Sequence, residues 1–164
     1  MKDRYLLIGG AGFIGMNLAI HLADIGYAIT VFDCLENPFD ISYRAKIKYL
    51  QGNYFEEDIS DEILREQDRI ILLACSVAPK TSMEVSEVCY QRDVVRMIGL
   101  LEQMRRCRVK GLILISSGGT VYGNQEEQIL SEDMQTFPIN HYGIMKLTQE
   151  KIMMMYKRLY EMKN

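Results

Sequence analysis

In the segment RYLLIGGAGFIGMNLAIHLADIGYAITVFDC, residues 4–34, three glycines separate a short apolar run from a long amphipathic segment. Gly9, Gly12 and Gly15 stand at three-residue spacing, and the next apolar run ends at Asp33. An apolar run, a glycine-rich turn, an amphipathic segment and a second apolar run predict a strand, a tight turn, a helix and a second strand, in that order. A glycine loop in this place also lets another molecule approach the backbone closely.

The same alternation continues along the whole chain. The apolar runs are nearly continuous, as in strands that are buried on both faces of a parallel sheet. Strands are predicted at residues 5–9, 28–33, 47–52, 69–75 and 111–116. Helices are predicted at residues 13–25, 58–66, 84–106 and 142–162. Strand–helix repeats of this kind predict one α/β domain over residues 1–164. Residues 118–140 are expected to form a long functional loop.

Composition limits the possible classes of function. The net charge of −3 provides no basic surface for nucleic acid, and no apolar run is long enough to cross a membrane. The four cysteines form no C-x-x-C pair and no signal peptide precedes them, so free thiols in a reducing cytoplasm are expected. With two histidines and no spaced cysteines, no metal site is expected.

The glycine loop is predicted to bind a dinucleotide. Glycines at this turn allow a pyrophosphate to reach the N-terminus of the following helix, where unpaired N–H groups bind anions. Asp33 lies at the distance along the chain where an acidic residue binds the ribose 2′-hydroxyl of the adenosine half. A carboxylate there repels a 2′-phosphate, which favours NAD over NADP. Glycine turns and strand-end aspartates are each common, but their combination favours nucleotide binding.

A second motif lies near the end of the chain. Tyr142 and Lys146 occupy positions i and i+4 of a predicted helix and therefore share one face. An ammonium beside a phenol, with a nicotinamide cation nearby, is expected to lower the phenol pKa from about 10 toward neutrality. Tyr142 is therefore a candidate general base. The alternative is a packed aromatic beside a solvated lysine, which the position after a Ser/Thr-rich strand end disfavours.

These motifs occur in an order that resembles a known family. The resemblance rests on Asp33 and on GGAGFIG at 9–15, LLACS at 72–76, DVVRMIGLLE at 93–102, SSGGTVYG at 116–123 and YGIMK at 142–146. The chain thereby resembles the extended short-chain dehydrogenases/reductases, in particular the NAD-dependent sugar epimerase/dehydratase group of the UDP-glucose 4-epimerase type. This resemblance implies a Rossmann-type, doubly wound parallel sheet of about five strands in the order 3-2-1-4-5.

The resemblance also implies a cofactor, a substrate class and site residues. NAD is the implied cofactor, a nucleotide-sugar the implied substrate, and Tyr142 the group that takes a proton from a sugar hydroxyl while hydride passes to nicotinamide. Lys146 is implied to hold the nicotinamide ribose. The implied cofactor-binding residues are Gly9, Gly12, Phe13, Ile14, Gly15, Asp33, Asn53, Tyr54, Leu73, Ala74, Cys75, Tyr142 and Lys146.

Several positions depart from the family pattern. Gly118 stands where the family usually has its catalytic Ser or Thr, so Thr120 or Ser117 must supply that hydroxyl. Asn53 replaces an Asp that commonly meets the adenine, and an asparagine can still accept or donate there. Asp93 stands where the long helix usually has Asn, and a buried Asp must be paired or protonated.

The family also continues with a smaller C-terminal substrate domain, which is absent from these 164 residues. Two classes of function therefore stay open: an epimerase/dehydratase or its cofactor-binding half, and a catalytically weak NAD-binding module that acts as a partner or sensor. The resemblance further implies a homodimer through the helices at residues 84–106 and 142–162. The edge of the fifth strand is expected to pair with another copy or to lie under the loop at 118–140.

Overall fold

The computed structural model describes residues 2–126 and 129–160. Its centre is a five-stranded parallel sheet with the order β3-β2-β1-β4-β5, which confirms the predicted fold. The strands are β1 Arg4–Ile8, β2 Ala28–Asp33, β3 Ile47–Gln51, β4 Arg69–Leu72 and β5 Gly111–Leu114. The fourth and fifth strands end earlier than predicted, because residues 73–75 and 115–116 already belong to the loops at the carboxyl edge.

Seven helices and one π-helical segment surround the sheet in the described residues. The helices are α1 Phe13–Asp24, α2 Ile41–Arg44, α3 Asp61–Arg65, α4 Ser86–Val88, α5 Arg96–Cys107, α6 Gly118–Val121 and α7 His141–Tyr160. A π-helical segment, Cys89–Val95, joins α4 to α5, so the helix predicted at 84–106 is continuous but not uniformly α-helical. Helices α2 and α6 were not predicted. The last two residues of the helix predicted at 142–162 lie outside the described residues.

Alternate side chains of each strand enter two separate cores. Leu6 and Ile8 of β1 pack with Leu112 of β5 in a core closed by α3, α5 and α7. Leu7 packs on the opposite face with Ala19 of α1. Both faces of the central strands are therefore buried, which explains their continuous apolar sequence.

The outer strand β5 is covered on one face only. Ile113 is 41% exposed, whereas Ile71, its partner on β4, is 4% exposed. Ile113 therefore lies on a face of β5 that the described residues leave partly open to solvent. No described helix is long and apolar enough to cross a membrane.

Asp68 joins the amino ends of three strands. Its carboxylate accepts the backbone N–H of Arg4 at 2.8 Å and the ammonium of Lys110 at 2.7 Å. These bonds connect the starts of β1, β4 and β5. They lower the pKa of Asp68 from 3.8 to about 2, with the bond from Lys110 as the largest cause.

We predict that Asp68→Asn lowers the free energy of unfolding at pH 7 by about 2 kcal/mol, because a carboxylate with a depressed pKa stabilises the fold in its charged form. This stabilisation is present above pH 3.8 and is lost as the pH falls through 2. Urea unfolding of both proteins at pH 7 and pH 3 measures the difference. Asp40→Asn is the control, since Asp40 is exposed and its side chain makes no cap bond. A difference independent of pH contradicts the account.

Candidate functional site

Two of the three glycines are required by packing within the protein. Gly9 has φ +83, and a Cβ there lies 2.6 Å from the backbone nitrogen of Ala74. A Cβ at Gly15 lies 2.5 Å from the Cα of Gly10. These distances are below any real van der Waals contact. The glycine loop is therefore pressed directly onto the loop that follows β4.

Gly12 is different, because the protein itself leaves room for a side chain there. An added Cβ meets only the carbonyl oxygen of Gly9, at 3.6 Å. Gly12 is the N-cap of α1 and supplies no capping side chain. The first helical hydrogen bond runs from Met16 N–H to Gly12 C=O at 2.9 Å, so the N–H groups of Phe13 and Ile14 have no acceptor inside the helix. The space that a Cβ at Gly12 occupies lies beside the free donors of this helix end.

Phe13 and Ile14 contribute to the site through their backbone. Their side chains are 84% and 58% exposed. Because backbone N–H groups at a helix N-terminus carry partial positive charge, they suit an anion.

Asp33 holds the glycine loop and also lines a cleft at the carboxyl ends of the strands. Its Oδ2 accepts the N–H of Ala11 at 2.9 Å, and its Oδ1 accepts the N–H of Leu35 at 3.0 Å. A carboxylate has about four acceptor positions, so lone pairs remain for ligand hydroxyls. Its role in fixing the loop was not predicted from the sequence.

A cleft of about 250 Å³ lies at the carboxyl ends of the strands and brings most of the predicted cofactor residues together. Its lining residues are Gly9, Gly12, Phe32, Asp33, Cys34, Leu35, Gly52, Asn53, Tyr54, Phe55, Ala74 and Cys75. Leu73 lies beside the cleft and packs into the core on the α1 face. Ligands of open parallel sheets bind at this edge, where the strand order reverses between β1 and β4.

The loop after β3 forms the far wall of the cleft and is held by Arg96. The guanidinium of Arg96 donates to the carbonyl oxygens of Tyr54 and Glu57 and to Asp58 Oδ1, the last at 2.6 Å. It also lies 5.4 Å from the centroid of the Tyr54 ring. The Tyr54 hydroxyl is buried, and among the described residues it has no hydrogen-bond partner. Arg96 was not predicted, because these contacts join residues about forty positions apart.

Asp93, in the π-helical segment, connects the loop after β4 to α7. Its carboxylate accepts the N–H of Ser76 at 3.1 Å and also the Ser76 hydroxyl. Its backbone carbonyl accepts Gln149 Nε2 of α7 at 3.0 Å. The expected pairing of this buried acid is therefore provided by neutral donors. Nearby, Tyr90 and His141 are joined by a hydrogen bond of 2.9 Å at the start of α7.

Tyr142 and Lys146 lie together beside Cys75. Lys146 is 4% exposed, and its Nζ donates to the carbonyl oxygen of Ile115 at 3.0 Å. The same Nζ lies 5.7 Å from the centroid of the Tyr142 ring. Tyr142 packs with Cys75 and Met145, and the Cys75 thiol donates to the carbonyl oxygen of Val77 at 3.3 Å. Because Cys75 also lines the cleft, the cleft and the Tyr142–Lys146 pair are contiguous.

The expectation that Lys146 lowers the pKa of Tyr142 is wrong for the protein groups alone. Burial raises the pKa of Tyr142 to about 12, and the neighbouring Cys75 contributes to the rise. Burial also raises the pKa of the Cys75 thiol, against the opposing charge of Lys146. The Lys146 ammonium, 5.7 Å from the centroid of the Tyr142 ring, does not offset the rise in the pKa of Tyr142.

The two candidate hydroxyls differ in their surroundings. Thr120 Oγ1 donates to the carbonyl oxygen of Ser117 at 3.4 Å. Helix α6 packs on the first turn of α7, where a Cβ at Gly143 lies 2.6 Å from the Thr120 carbonyl oxygen. Ser117 instead lines a second cavity of about 910 Å³, whose lining includes Tyr122 and Glu150 but neither Tyr142 nor Lys146. Nothing lies within 4 Å of a Cβ at Gly118.

Known proteins resemble the chain along its length. The profile of the NAD dependent epimerase/dehydratase family matches residues 5–164. UDP-glucose 4-epimerase of Lactobacillus helveticus is 33% identical over 152 residues, which cover 92% of this chain and 46% of that protein.

Solved structures agree with these sequence matches. UDP-glucose 4-epimerase of Brucella ovis, crystallised with NAD, has a TM-score of 0.83 at 28% identity, covering 99% of this chain and 50% of that one. An NAD-dependent NDP-hexosamine 5,6-dehydratase of tunicamycin biosynthesis has a TM-score of 0.80 at 27% identity, covering 96% and 50%. The chain thus spans about half the length of the relatives that it matches. The chain belongs to the NAD-dependent epimerase/dehydratase family.

Proposed function

We propose that the cleft at the end of β1 binds NAD. The observation that carries this proposal is the N-terminus of α1, where free N–H groups stand next to a glycine that the protein's own packing does not require. The pyrophosphate would be held by the N–H groups of Phe13 and Ile14. The hydroxyls of the adenosine ribose would be held by Asp33, whose negative charge disfavours the 2′-phosphate of NADP.

The reacting end of the site would lie at Tyr142 and Lys146. Bound NAD would supply a hydride acceptor there. Tyr142 would hold the proton of a sugar hydroxyl at its phenolic oxygen, and Lys146 would place a positive charge beside the ring. Thr120, on the helix packed against Gly143, is better placed than Ser117 to supply the assisting hydroxyl, since Ser117 lines the second cavity.

The substrate class follows from the family. We propose that the protein to which these residues contribute acts on a nucleotide-sugar as an epimerase or dehydratase, because the similar proteins are UDP-glucose 4-epimerases and a hexosamine dehydratase. Oxidation at a sugar carbon is the step that both reactions share. The proposed roles of Tyr142 and Lys146 belong to that step and do not distinguish the two.

A second candidate function is an NAD-binding module with little turnover, acting as a partner or sensor. Two observations favour it. Gly118 removes a hydroxyl from the loop beside the reacting end. The protein groups also raise the pKa of Tyr142 to about 12, which holds the phenol in its protonated form at neutral pH.

We also propose a homodimer through α5 and α7. These helices contact each other through the Tyr156 hydroxyl, which donates to Glu102 at 2.6 Å. Apolar side chains remain exposed on or next to them, among them Val95, Ile98, Met155 and Leu159. Burial of such side chains between two copies removes apolar area from water.

Gly12→Ala tests the cofactor site. We predict that it weakens NAD binding at least tenfold, because the new Cβ occupies the space beside the free N–H groups, while the free energy of unfolding changes by less than about 1 kcal/mol. Isothermal titration with NAD and NADP measures binding, and the unaltered chain is expected to prefer NAD.

Gly15→Ala is the matched comparison for Gly12→Ala. Its Cβ clashes with the Gly10 backbone, so a loss of about 1–3 kcal/mol in stability is expected. Unchanged NAD affinity in Gly12→Ala, or tighter binding of NADP than of NAD by the unaltered chain, contradicts the proposed site.

Tyr142→Phe tests the chemistry. It keeps the ring and removes the hydroxyl, so NAD still binds while NAD reduction with UDP-sugars falls by about 10²–10⁴-fold. Absorbance of reduced nicotinamide follows the reaction. Tyr27→Phe, directly before β2, is the control and retains activity. Equal activity of Tyr142→Phe and the unaltered chain rejects the mechanism, whereas NAD binding without turnover in the unaltered chain favours the second candidate.

Val95→Glu tests the dimer. Val95 is 61% exposed beside α5, and a carboxylate there opposes its burial between two copies. We expect the unaltered chain to sediment as a dimer and Val95→Glu as a monomer at micromolar concentration. Ile41→Glu, on exposed α2, provides the control and leaves the dimer intact. A monomeric unaltered chain, or a dimer insensitive to Val95→Glu, contradicts the proposed interface.

A further inference from the structure

The buried carboxylate of Asp93 has only neutral hydrogen-bond donors around it. Asp93 is 2% exposed. Its Oδ1 and Oδ2 both accept the N–H of Ser76, at 3.1 and 3.3 Å, and Oδ2 also accepts the Ser76 hydroxyl. Acceptance at both oxygens is the pattern of the ionised form, since a protonated carboxyl donates from one of them. Within residues 2–126 and 129–160, no Lys, Arg or His forms an ion pair with this carboxylate.

The charge of Asp93 acts on the reacting end of the site. Burial is the largest cause of the raised pKa of the Cys75 thiol, and the Asp93 carboxylate adds to that rise while Lys146 opposes it. Asp93 also contributes to the raised pKa of Tyr142, after burial and Cys75. The Lys146 ammonium donates to the carbonyl oxygen of Ile115 and leaves the carboxylate without a cationic partner.

Asp93 stands directly behind the wall of the cleft. Its partner Ser76 follows Cys75, which lines the cleft and packs with Tyr142. The backbone carbonyl oxygen of Asp93 accepts Gln149 Nε2 of α7 at 3.0 Å, so the segment that carries the carboxylate is held in place. In the proposed NAD site, the nicotinamide would lie on the other side of this wall. A buried charge at such a position is screened little by salt or water.

We propose that Asp93 makes the site select the oxidised cofactor, NAD, over NADH. This inference rests on the proposed NAD site and specifies which redox state it prefers. The oxidised nicotinamide ring carries one positive charge, whereas the reduced ring is neutral. A buried carboxylate that lacks a cation therefore gains one when NAD binds and gains none when NADH binds. Within the site the oxidised form becomes more stable relative to the reduced form, so the bound cofactor rests in the state that accepts a hydride.

Asp93→Asn removes the charge and keeps an amide oxygen to accept the Ser76 N–H. Calorimetric titration of both proteins with NAD and with NADH gives the ratio of the dissociation constants, NADH over NAD. Two unit charges roughly 10 Å apart at an effective dielectric constant of about 20 change an equilibrium roughly tenfold. We therefore expect the ratio to fall about tenfold in Asp93→Asn. A fall of threefold or more supports the inference, and a smaller change overturns it.

Two control variants separate the charge from the structure. Gln149→Met removes the bond to the Asp93 carbonyl oxygen and changes no charge. Asp68→Asn removes a carboxylate at the amino ends of the strands, the opposite edge of the sheet. In both variants the ratio stays within about twofold of the unaltered chain, because a purely structural change weakens NAD and NADH alike. A fall in either control as large as that in Asp93→Asn overturns the inference.

Failure of the inference is distinguishable from failure of the proposed function. If the unaltered chain binds neither NAD nor NADH, the proposed function is wrong and this inference falls with it. If NAD binds but Asp93→Asn leaves the ratio unchanged, only the inference is overturned. If circular dichroism shows that Asp93→Asn does not fold, the ratio of the unaltered chain decides. Binding of NAD at least as tight as that of NADH then supports the inference, and tighter binding of NADH overturns it.

Discussion

The buried carboxylate of Asp93 is the interaction on which the arrangement of the site depends. The carboxylate accepts a hydrogen bond from Ser76, which directly follows Cys75 in the loop after β4. The backbone carbonyl oxygen of Asp93 accepts a hydrogen bond from Gln149 of α7. One residue thus sets the distance between the cleft and the helix that carries Tyr142. An unpaired buried carboxylate is costly, so the Ser76 donors and the π-helical turn that presents Asp93 to them must form together.

The two ends of the site are held by different forces. At the cofactor end, backbone packs on backbone, as Gly9 and Gly15 contact Ala74 and Gly10, and there are few side chains that can move. At the reacting end, the pKa of Tyr142 depends on burial and on Cys75. In the proposed site, the geometry for cofactor binding is therefore set by the fold, whereas proton transfer would depend on charges brought by a ligand. This difference is why binding and turnover have to be measured separately for this chain.

The sequence predicted structural features that rest on repeated or local patterns. It did not predict contacts between residues that are far apart in the chain. The positions of the strands and the glycine loop were predictable from apolar periodicity and spacing, and the strand order was implied by the family resemblance. Helix α6 was not, because its place depends on contact between Thr120 and Gly143. Arg96 carried no local signal, since its partners belong to another loop. The predicted acidity of Tyr142 counted Lys146, one turn along the helix, and a nicotinamide cation. It did not count burial or Cys75, both of which arise only through tertiary folding.

A crystal structure of the chain grown with NAD tests the central claim, that the cleft at the carboxyl ends of β1, β2 and β4 is a dinucleotide site. The account predicts the pyrophosphate within hydrogen-bond distance of the Phe13 and Ile14 N–H groups, the adenosine ribose on Asp33, and the nicotinamide beside Cys75 and Tyr142. Density for the dinucleotide outside this cleft, or an empty cleft at saturating NAD, would contradict it.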